Sequence, residues 1–377
     1  METTRILLVG IGGYAAGYVN EMAARCEERH AKVVGIVDPY AEKSAQYELA
    51  RTLTSSFYDT LEEFYQENEA DLAIISTPIP LHAPQAIYCM EHGTHVLSEK
   101  PIAGTVADAQ RMVDARERTG KILAVGFQWC YDPAMQAFRN DVQAGLFGKI
   151  LSMKALVLWP RDTAYYTRTS GWAGKKYDKN GHPIFDSVAS NATAHYLENM
   201  LWVAGRELTD IQAVTARANP IETFDTIALT GKSGTADLFY AASHAAGRDN
   251  VQNPTFEYVF EKGTARYMGL GYEGCELTVQ LNDGTEKRYG VTRSDTGSHY
   301  MHKVWAVVDA IRTGSAIGCT AEEAMLHTRV IAKVHELIPE APVFPEEQIR
   351  LDDGMYWAPD LAEKLRKAFE ERRLPRL

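Results

Sequence analysis

Short apolar runs alternate with helix-patterned segments through the first 126 residues, and few folds accommodate that rhythm. Residues 5–9, 32–38, 72–76, 95–98 and 122–126 read as strands, and 14–29, 41–52, 60–67, 83–92 and 106–119 as helices. Strands joined through helices run parallel. A parallel sheet is covered on both faces, so its strands are apolar throughout rather than alternating. Asp59 with Glu62 has the spacing of a capping box, and Thr105 is the expected N-cap of the helix 106–119. A doubly wound parallel α/β sheet over residues 1–127 is the expectation.

The rhythm changes after Gly126. Helices are expected at 133–144 and 187–204, and a long strand at 150–159. Alternating strands follow at 208–217, 224–230, 234–240, 255–260 and 276–289, divided by turns such as Lys232-Ser233-Gly234 and Asn282-Asp283-Gly284. Helices return at 300–313, 321–337 and 360–373. This pattern predicts a second α/β domain, 128–377, with a large, mostly antiparallel open sheet. The length of 377 residues agrees with two domains at about 150 residues each.

Within the first strand–helix step lies Gly10-Ile11-Gly12-Gly13-Tyr14-Ala15, which fits G-x-G-x-x-A. Gly10 allows the tight turn, Gly12 lets a pyrophosphate approach the backbone, and Ala15 permits close helix–strand packing. The helix start offers N–H groups and a partial positive charge to phosphates. Asp38 closes the second strand, where a carboxylate accepts from adenosine ribose hydroxyls and repels a 2′-phosphate. Gly10, Gly12, Gly13, Tyr14, Ala15 and Asp38 therefore predict a Rossmann site for NAD, with NADP less favoured.

Thr77-Pro78 with His82, then Glu99-Lys100-Pro101 after a strand, resembles the glucose–fructose oxidoreductase, inositol dehydrogenase and rhizopine catabolism (Gfo/Idh/MocA) family. The similarity runs to about residue 205 and returns at 308–314. It implies an oxidoreductase of sugars, inositols and related polyols. Thr77, Pro78, Glu99 and Lys100 then belong to the cofactor site, with Lys100 beside the nicotinamide and the reacting hydroxyl. His82 either supports that loop or is a polar residue at a helix start. An ammonium there stabilises developing alkoxide. The family's second motif, Asp with His four residues on, is Asn191 with His195 in this chain. On one helix, i and i+4 share a face. His195 is the expected general base and Asn191 a hydroxyl ligand. Because an amide cannot hold an imidazolium by charge, the proton goes either to His195 or to Lys100, with His195 then only binding substrate. Asp186 is a further carboxylate near that helix.

The segment 161–183 is rich in aromatic and cationic residues. It is either the mouth of the site, with Arg161, Tyr166 and Trp172 gripping substrate, or an oligomer contact. Trp129 and Tyr131 are further substrate candidates. The expected reaction is reversible oxidation of a secondary hydroxyl on a cyclic sugar, glycoside or polyol. Its rivals are glycoside cleavage through transient oxidation with NAD recycled, and a non-catalytic NAD-binding regulator. A net charge of −11 argues against nucleic-acid binding. The five cysteines contain no CxxC pair, which suits reduced thiols. No metal site is expected, and His299 and His302 have no ligand partner at suitable spacing. No apolar run reaches membrane-spanning length, and no signal-peptide pattern precedes the first strand, so a cytoplasmic protein is expected. An exposed apolar sheet face would need cover, hence the expectation of a homodimer or homotetramer through the C-terminal sheet.

Overall fold

The computed structural model describes residues 3–168, 171–269, 275–292 and 301–377. His299, residues 169 and 170 of the aromatic segment, and residue 300 of the expected helix 300–313 lie outside them. The chain divides into two compact units, Met1–Tyr131 with Thr296–Met325, and Asp132–Asp295 with Leu326–Leu377.

The first unit contains β1 (Thr4–Val9), α1 (Ala16–Arg25), β2 (Ala31–Val37), α2 (Tyr47–Leu53), β3 (Phe57–Tyr58), α3 (Leu61–Glu67), β4 (Leu72–Ile75), α4 (Ile79–Glu91), β5 (His95–Ser98), α5 (Val106–Thr119) and β6 (Leu123–Val125). All six strands run parallel in the order β3-β2-β1-β4-β5-β6. Chain order reverses across β1 and β4, the switch point where such sheets bind ligands at their carboxyl ends. Thr105 caps α5 by accepting from Asp108 N, as expected, and Gly120 at φ +67° ends it. The cap of α3 lies one residue later than the spacing suggests: Thr60 accepts from Glu63 N, and Glu63 returns a bond to Asp59 N.

The second unit contributes α6 (Pro133–Gln143), β7 (Ile150–Leu158), α7 (Thr163–Thr167), a π-helical turn (Val188–Ala192), α8 (Ala194–Ala204), β8 (Leu208–Ala216), β9 (Thr226–Ser233), β10 (Ala236–Ser243), β11 (Gln252–Phe260), β12 (Gly263–Met268), β13 (Cys275–Leu281) and β14 (Glu286–Thr292). These eight strands form one sheet in the order β14-β13-β12-β11-β7-β10-β9-β8. Every pairing is antiparallel except β7 with β10. The expected strand 276–289 is the hairpin β13–β14.

The chain continues through α9 (His302–Thr313), α10 (Ala321–Leu337), β15 (Arg350–Asp352), β16 (Met355–Trp357) and α11 (Leu361–Glu371). Helix α9, placed with the second domain by the sequence pattern, packs in the first unit. Trp305 Nε1 donates to Glu21 Oε1 at 2.5 Å, and Arg312 Nη2 donates to the carbonyls of Arg29 and His30 at 3.0 and 2.7 Å. These are polar contacts across some 280 residues, which local periodicity does not register.

One face of the large sheet is covered by α8, where Tyr258 OH donates to Asn199 Oδ1 and Tyr196 packs on Phe256. On the other, Leu156 and Leu158 of β7 and Phe239 and Ala241 of β10 pack against Leu361, Leu365 and Phe369 of α11. The chain's own last helix thus covers the apolar centre that was expected to require a second copy. All five cysteines are free of disulfides. Among the described residues no helix is long and apolar enough to cross a membrane.

Candidate active site

The carboxyl ends of β1, β4, β5 and β6 are stitched together by backbone bonds just beyond the strands. Ser76 N donates to Val9 O at 2.9 Å, Glu99 N to Ile75 O at 2.8 Å, and Gly126 N to Ser98 O at 2.8 Å. This brings Gly10, Thr77 and Lys100 to one edge. Gly10 has φ +86°, and a Cβ there would lie 2.8 Å from Ser76 O, so both conformation and crowding require glycine. A Cβ on Gly12 or Gly13 would meet nothing within 4 Å, so the backbone at these positions faces open space. No side chain caps the helical start that follows, and no acidic residue lies in its first turn. These features fit a pyrophosphate over Gly12 and Gly13.

Asp38 is half-buried beside this turn. Its Oδ2 accepts from Ile11 N at 2.9 Å and its Oδ1 from Tyr40 N at 2.8 Å. The carboxylate therefore shapes the glycine turn, and each oxygen retains a lone pair for a ribose hydroxyl. Thr77 Oγ1 donates to Gln85 Oε1, and Pro78 precedes α4. His82 is 1% exposed, and its ring nitrogens lie 2.9 Å from Pro101 O and 2.9 Å from Thr77 O. It staples the Thr77 turn to the segment after Lys100. Burial holds its pKa below the ordinary histidine value despite those two carbonyls.

Glu99 is buried inside the unit. One carboxylate oxygen pairs with the fully buried Lys303 of α9 and accepts from Tyr18 OH at 2.5 Å, and the other accepts from Lys100 N at 3.1 Å. Lys303 also donates to Tyr14 OH at 3.1 Å and Gly126 O at 3.3 Å. Burial pushes the Glu99 pKa up, but Lys303, Tyr18 and the Lys100 cation outweigh it and hold it below the usual carboxylate range. Glu99 thus links the Tyr14 turn, the Lys100 backbone and α9. Sequence reasoning missed Tyr18 and Lys303. The available signal was a lysine on the apolar side of Met301-His302-Lys303-Val304-Trp305.

Two of the substrate candidates are buried. Trp129 and Tyr131 are 2% and 4% exposed, and the Tyr131 hydroxyl donates to Val125 O at 3.1 Å.

In the second unit the expected continuous helix 187–204 is broken. Ser187 and Ser190 cap each other reciprocally. Thr193 N donates to Val188 O, the bond of a π turn, and Thr193 Oγ1 bonds Val188 O at 2.5 Å and meets Tyr240 OH at 2.6 Å. Serine and threonine here compete with the α-helical ladder. Asn191 therefore lies in the π turn and His195, 9% exposed, in the first turn of α8. Asp186 is buried and accepts from Gly174 N at 2.6 Å, anchoring the segment before the π turn.

The three remaining substrate candidates do come together. Tyr166 OH lies 2.8 Å from His244 Nδ1, the Arg168 guanidinium lies 4.1 Å from both the Tyr165 and Trp172 rings, and Arg161 lies 5.3 Å from the Tyr165 ring. Burial, then the Arg161 and Arg168 cations, lower the His244 pKa to about 3, so its imidazole is neutral. His244 went unnoticed in the sequence because it lies beyond the expected strand 234–240, and its partner Tyr166 is 78 residues away.

Residues 4–127 match the model of the Gfo/Idh/MocA family, described as "Oxidoreductase family, NAD-binding Rossmann fold". That match takes in the strands of the parallel sheet and about a third of the chain. The chain is 26% identical over 298 residues to 4-carboxy-2-hydroxymuconate-6-semialdehyde dehydrogenase of Sphingobium sp. (strain NBRC 103272 / SYK-6), covering 77% of this chain and 88% of that protein. It is 27% identical over 164 residues to dTDP-3,4-didehydro-2,6-dideoxy-alpha-D-glucose 3-reductase of Streptomyces violaceoruber. That match spans 43% of this chain and less than half, 47%, of the reductase. In fold it resembles the WlbA dehydrogenase of Bordetella pertussis, solved with NADH and UDP-GlcNAcA. The TM-score is 0.71 at 23% identity, over 89% of this chain and 95% of that one.

Proposed function

We propose that this protein is an NAD-dependent oxidoreductase that interconverts a secondary hydroxyl and a ketone on a cyclic sugar, glycoside or polyol. The observation that carries this reading is Lys100 at the carboxyl edge of the NAD-type sheet, its backbone tied to the buried Glu99 beside the glycine turn. The sugar nucleotides in the names of the Streptomyces and Bordetella relatives support the substrate class.

Gly10, Gly12, Gly13 and Ala15 would hold the pyrophosphate, Asp38 the adenosine ribose, and Thr77, Pro78 and Lys100 would border the nicotinamide. When bound, NAD accepts or returns the hydride. The Lys100 ammonium stabilises the alkoxide that forms as the hydroxyl loses its proton. In the second unit, His195 is the candidate general base and Asn191 the candidate hydroxyl ligand, and without His195 in that role the proton falls to Lys100. Glu99 acts through the Lys100 backbone and His82 through the Thr77 turn, so both are positioning residues.

The test is NADH formation from a panel of sugars, inositols and sugar acids, with Lys100→Met as the variant. Loss of the charge that stabilises the alkoxide should lower kcat about 10²–10³-fold, with NAD affinity measured by calorimetry little changed. Normal turnover in the variant removes Lys100 from the mechanism. Cleavage of a glycoside without net NADH would instead indicate that bound NAD is recycled.

A further inference from the structure

The parallel pairing of β7 with β10 sets two strand ends side by side in the second unit, with Ser243 opposite Leu158. The chain leaves β7 through Trp159 and Pro160 to Arg161, and leaves β10 at His244; Arg161 N donates to His244 O at 3.1 Å. Helix α7, capped by Asp162, then folds back and delivers Tyr165, Tyr166 and Arg168 to the same place. The Tyr165 ring is the hub. Arg161 and Arg168 lie 5.3 and 4.1 Å from it, and the Tyr166 and His244 rings 5.0 and 5.5 Å.

Donors are left over in this cluster, although the Tyr165 hydroxyl bonds Arg168 and the carboxylates of Asp186 and Asp225 act electrostatically on Tyr165 and Tyr166. Nε and Nη2 of Arg168, Nε of Arg161 and Nε2 of His244 are shielded from solvent and make no hydrogen bond to a described residue. His244 is 1% exposed. Neither guanidinium is ion-paired with a described carboxylate. Stacking on Tyr165 and Trp172 offsets only part of the cost of desolvating a cation, at about 0.5–2 kcal/mol per contact, and unmade hydrogen bonds add to that cost. A cation held this way is stabilised fully only when an anion arrives. The Tyr166 hydroxyl lies 2.8 Å from Nδ1 of the neutral His244, and in the tautomer in which that hydroxyl donates, the ring proton is on Nε2 and adds a donor.

We propose that Arg161, Arg168 and His244 form a subsite for an anionic group, a carboxylate or a phosphate, borne by the sugar or polyol substrate. The substrate class is thus a sugar acid or a sugar phosphate rather than a neutral polyol. The aromatic residues hold the guanidiniums in place and shield them from water, which strengthens a charge-assisted bond. The inference rests on the sugar oxidoreductase reading for the identity of the ligand, but not for the existence of the anion site.

The test compares matched probes on the NAD-loaded protein by calorimetry and by NADH formation: D-glucuronate and D-glucose 6-phosphate against D-glucose, and D-galacturonate against D-galactose. At least one acid should bind tenfold or more tightly than its neutral counterpart, and the uronate and phosphate arms tell which anion is recognised. Arg168→Met and Arg161→Met should each cut that preference tenfold or more. Without ligand, Arg168→Met should keep or raise the Tm, since it removes an unpaired cation; a merely structural arginine would lower it. No preference for any acid, a preference that survives both substitutions, or a Tm several degrees lower in Arg168→Met overturns the proposal. Turnover of neutral polyols without acid preference would leave the oxidoreductase reading standing and this inference fallen. Acid binding that is lost in the variants, with no NADH from any probe, would do the reverse.

Discussion

The two units treat their charges in opposite ways. Glu99 is enclosed by Lys303, Tyr18 and the Lys100 backbone, so both its oxygens are used within the first unit. Arg161 and Arg168 in the second unit are stacked on rings, with guanidinium N–H groups left over. A charge whose partners are complete serves the fold. It can position a neighbour, but it has nothing left for a ligand. A charge held rigidly and left incomplete costs stability, and that cost is recovered on binding. The contrast separates supporting residues from those that touch substrate without reference to their position in the sequence.

The largest effect is expected from breaking the completed pair. Lys303→Met strands a buried carboxylate and should cost about 3–5 kcal/mol of stability. Urea unfolding read by circular dichroism measures it. Adding Glu99→Gln should recover much of the loss, because the stranded charge is then gone. If the double variant is as unstable as the single, the pair does not act as a pair.

A second, smaller effect lies in the pH dependence. The Glu99 pKa is lowered in the folded protein, so its contribution is fully present above the unfolded carboxylate value of about 4.3. It is lost as pH falls through the lower folded value. The acid limb of Tm against pH should therefore be shallower in the Glu99→Gln/Lys303→Met double variant than in the wild type. Identical limbs would mean that Glu99 does not hold this proton balance.

What the sequence revealed follows the same division between local and distant causes. The glycine turn, the parallel rhythm and the Thr105 cap depend on neighbours within a few residues, and they were legible. The break between Asn191 and His195 was not, because apolar periodicity continues through it; hydroxyls at Ser187, Ser190 and Thr193 decide the local geometry, one of them by meeting Tyr240. Lys303 and His244 were missed for a related reason. Each takes its meaning from a residue more than 75 positions away, Glu99 for one and Tyr166 for the other. The burial of Trp129 and Tyr131 was not legible either, because aromatic character does not distinguish a pocket wall from a core.

The smallest expected effect tests the incomplete side. Tyr166→Phe removes the hydroxyl at His244 Nδ1 and leaves that nitrogen buried without its partner, at a cost of about 1 kcal/mol. Because the imidazole is neutral, the loss should not vary between pH 5 and 8, where an exposed histidine would titrate. Nitrogen chemical shifts of His244 provide the sharper measurement. In the wild type the proton should reside on Nε2, facing the arginine cluster, and in Tyr166→Phe that tautomer should lose its preference. A wild-type ring protonated at Nδ1 would make Nε2 an acceptor. It would then serve as a partner for an arginine N–H, and the cluster would be closer to complete than its hydrogen bonds suggest. The tautomer of one buried histidine thus decides whether the second unit holds an unsatisfied donor set or a stacked structural core.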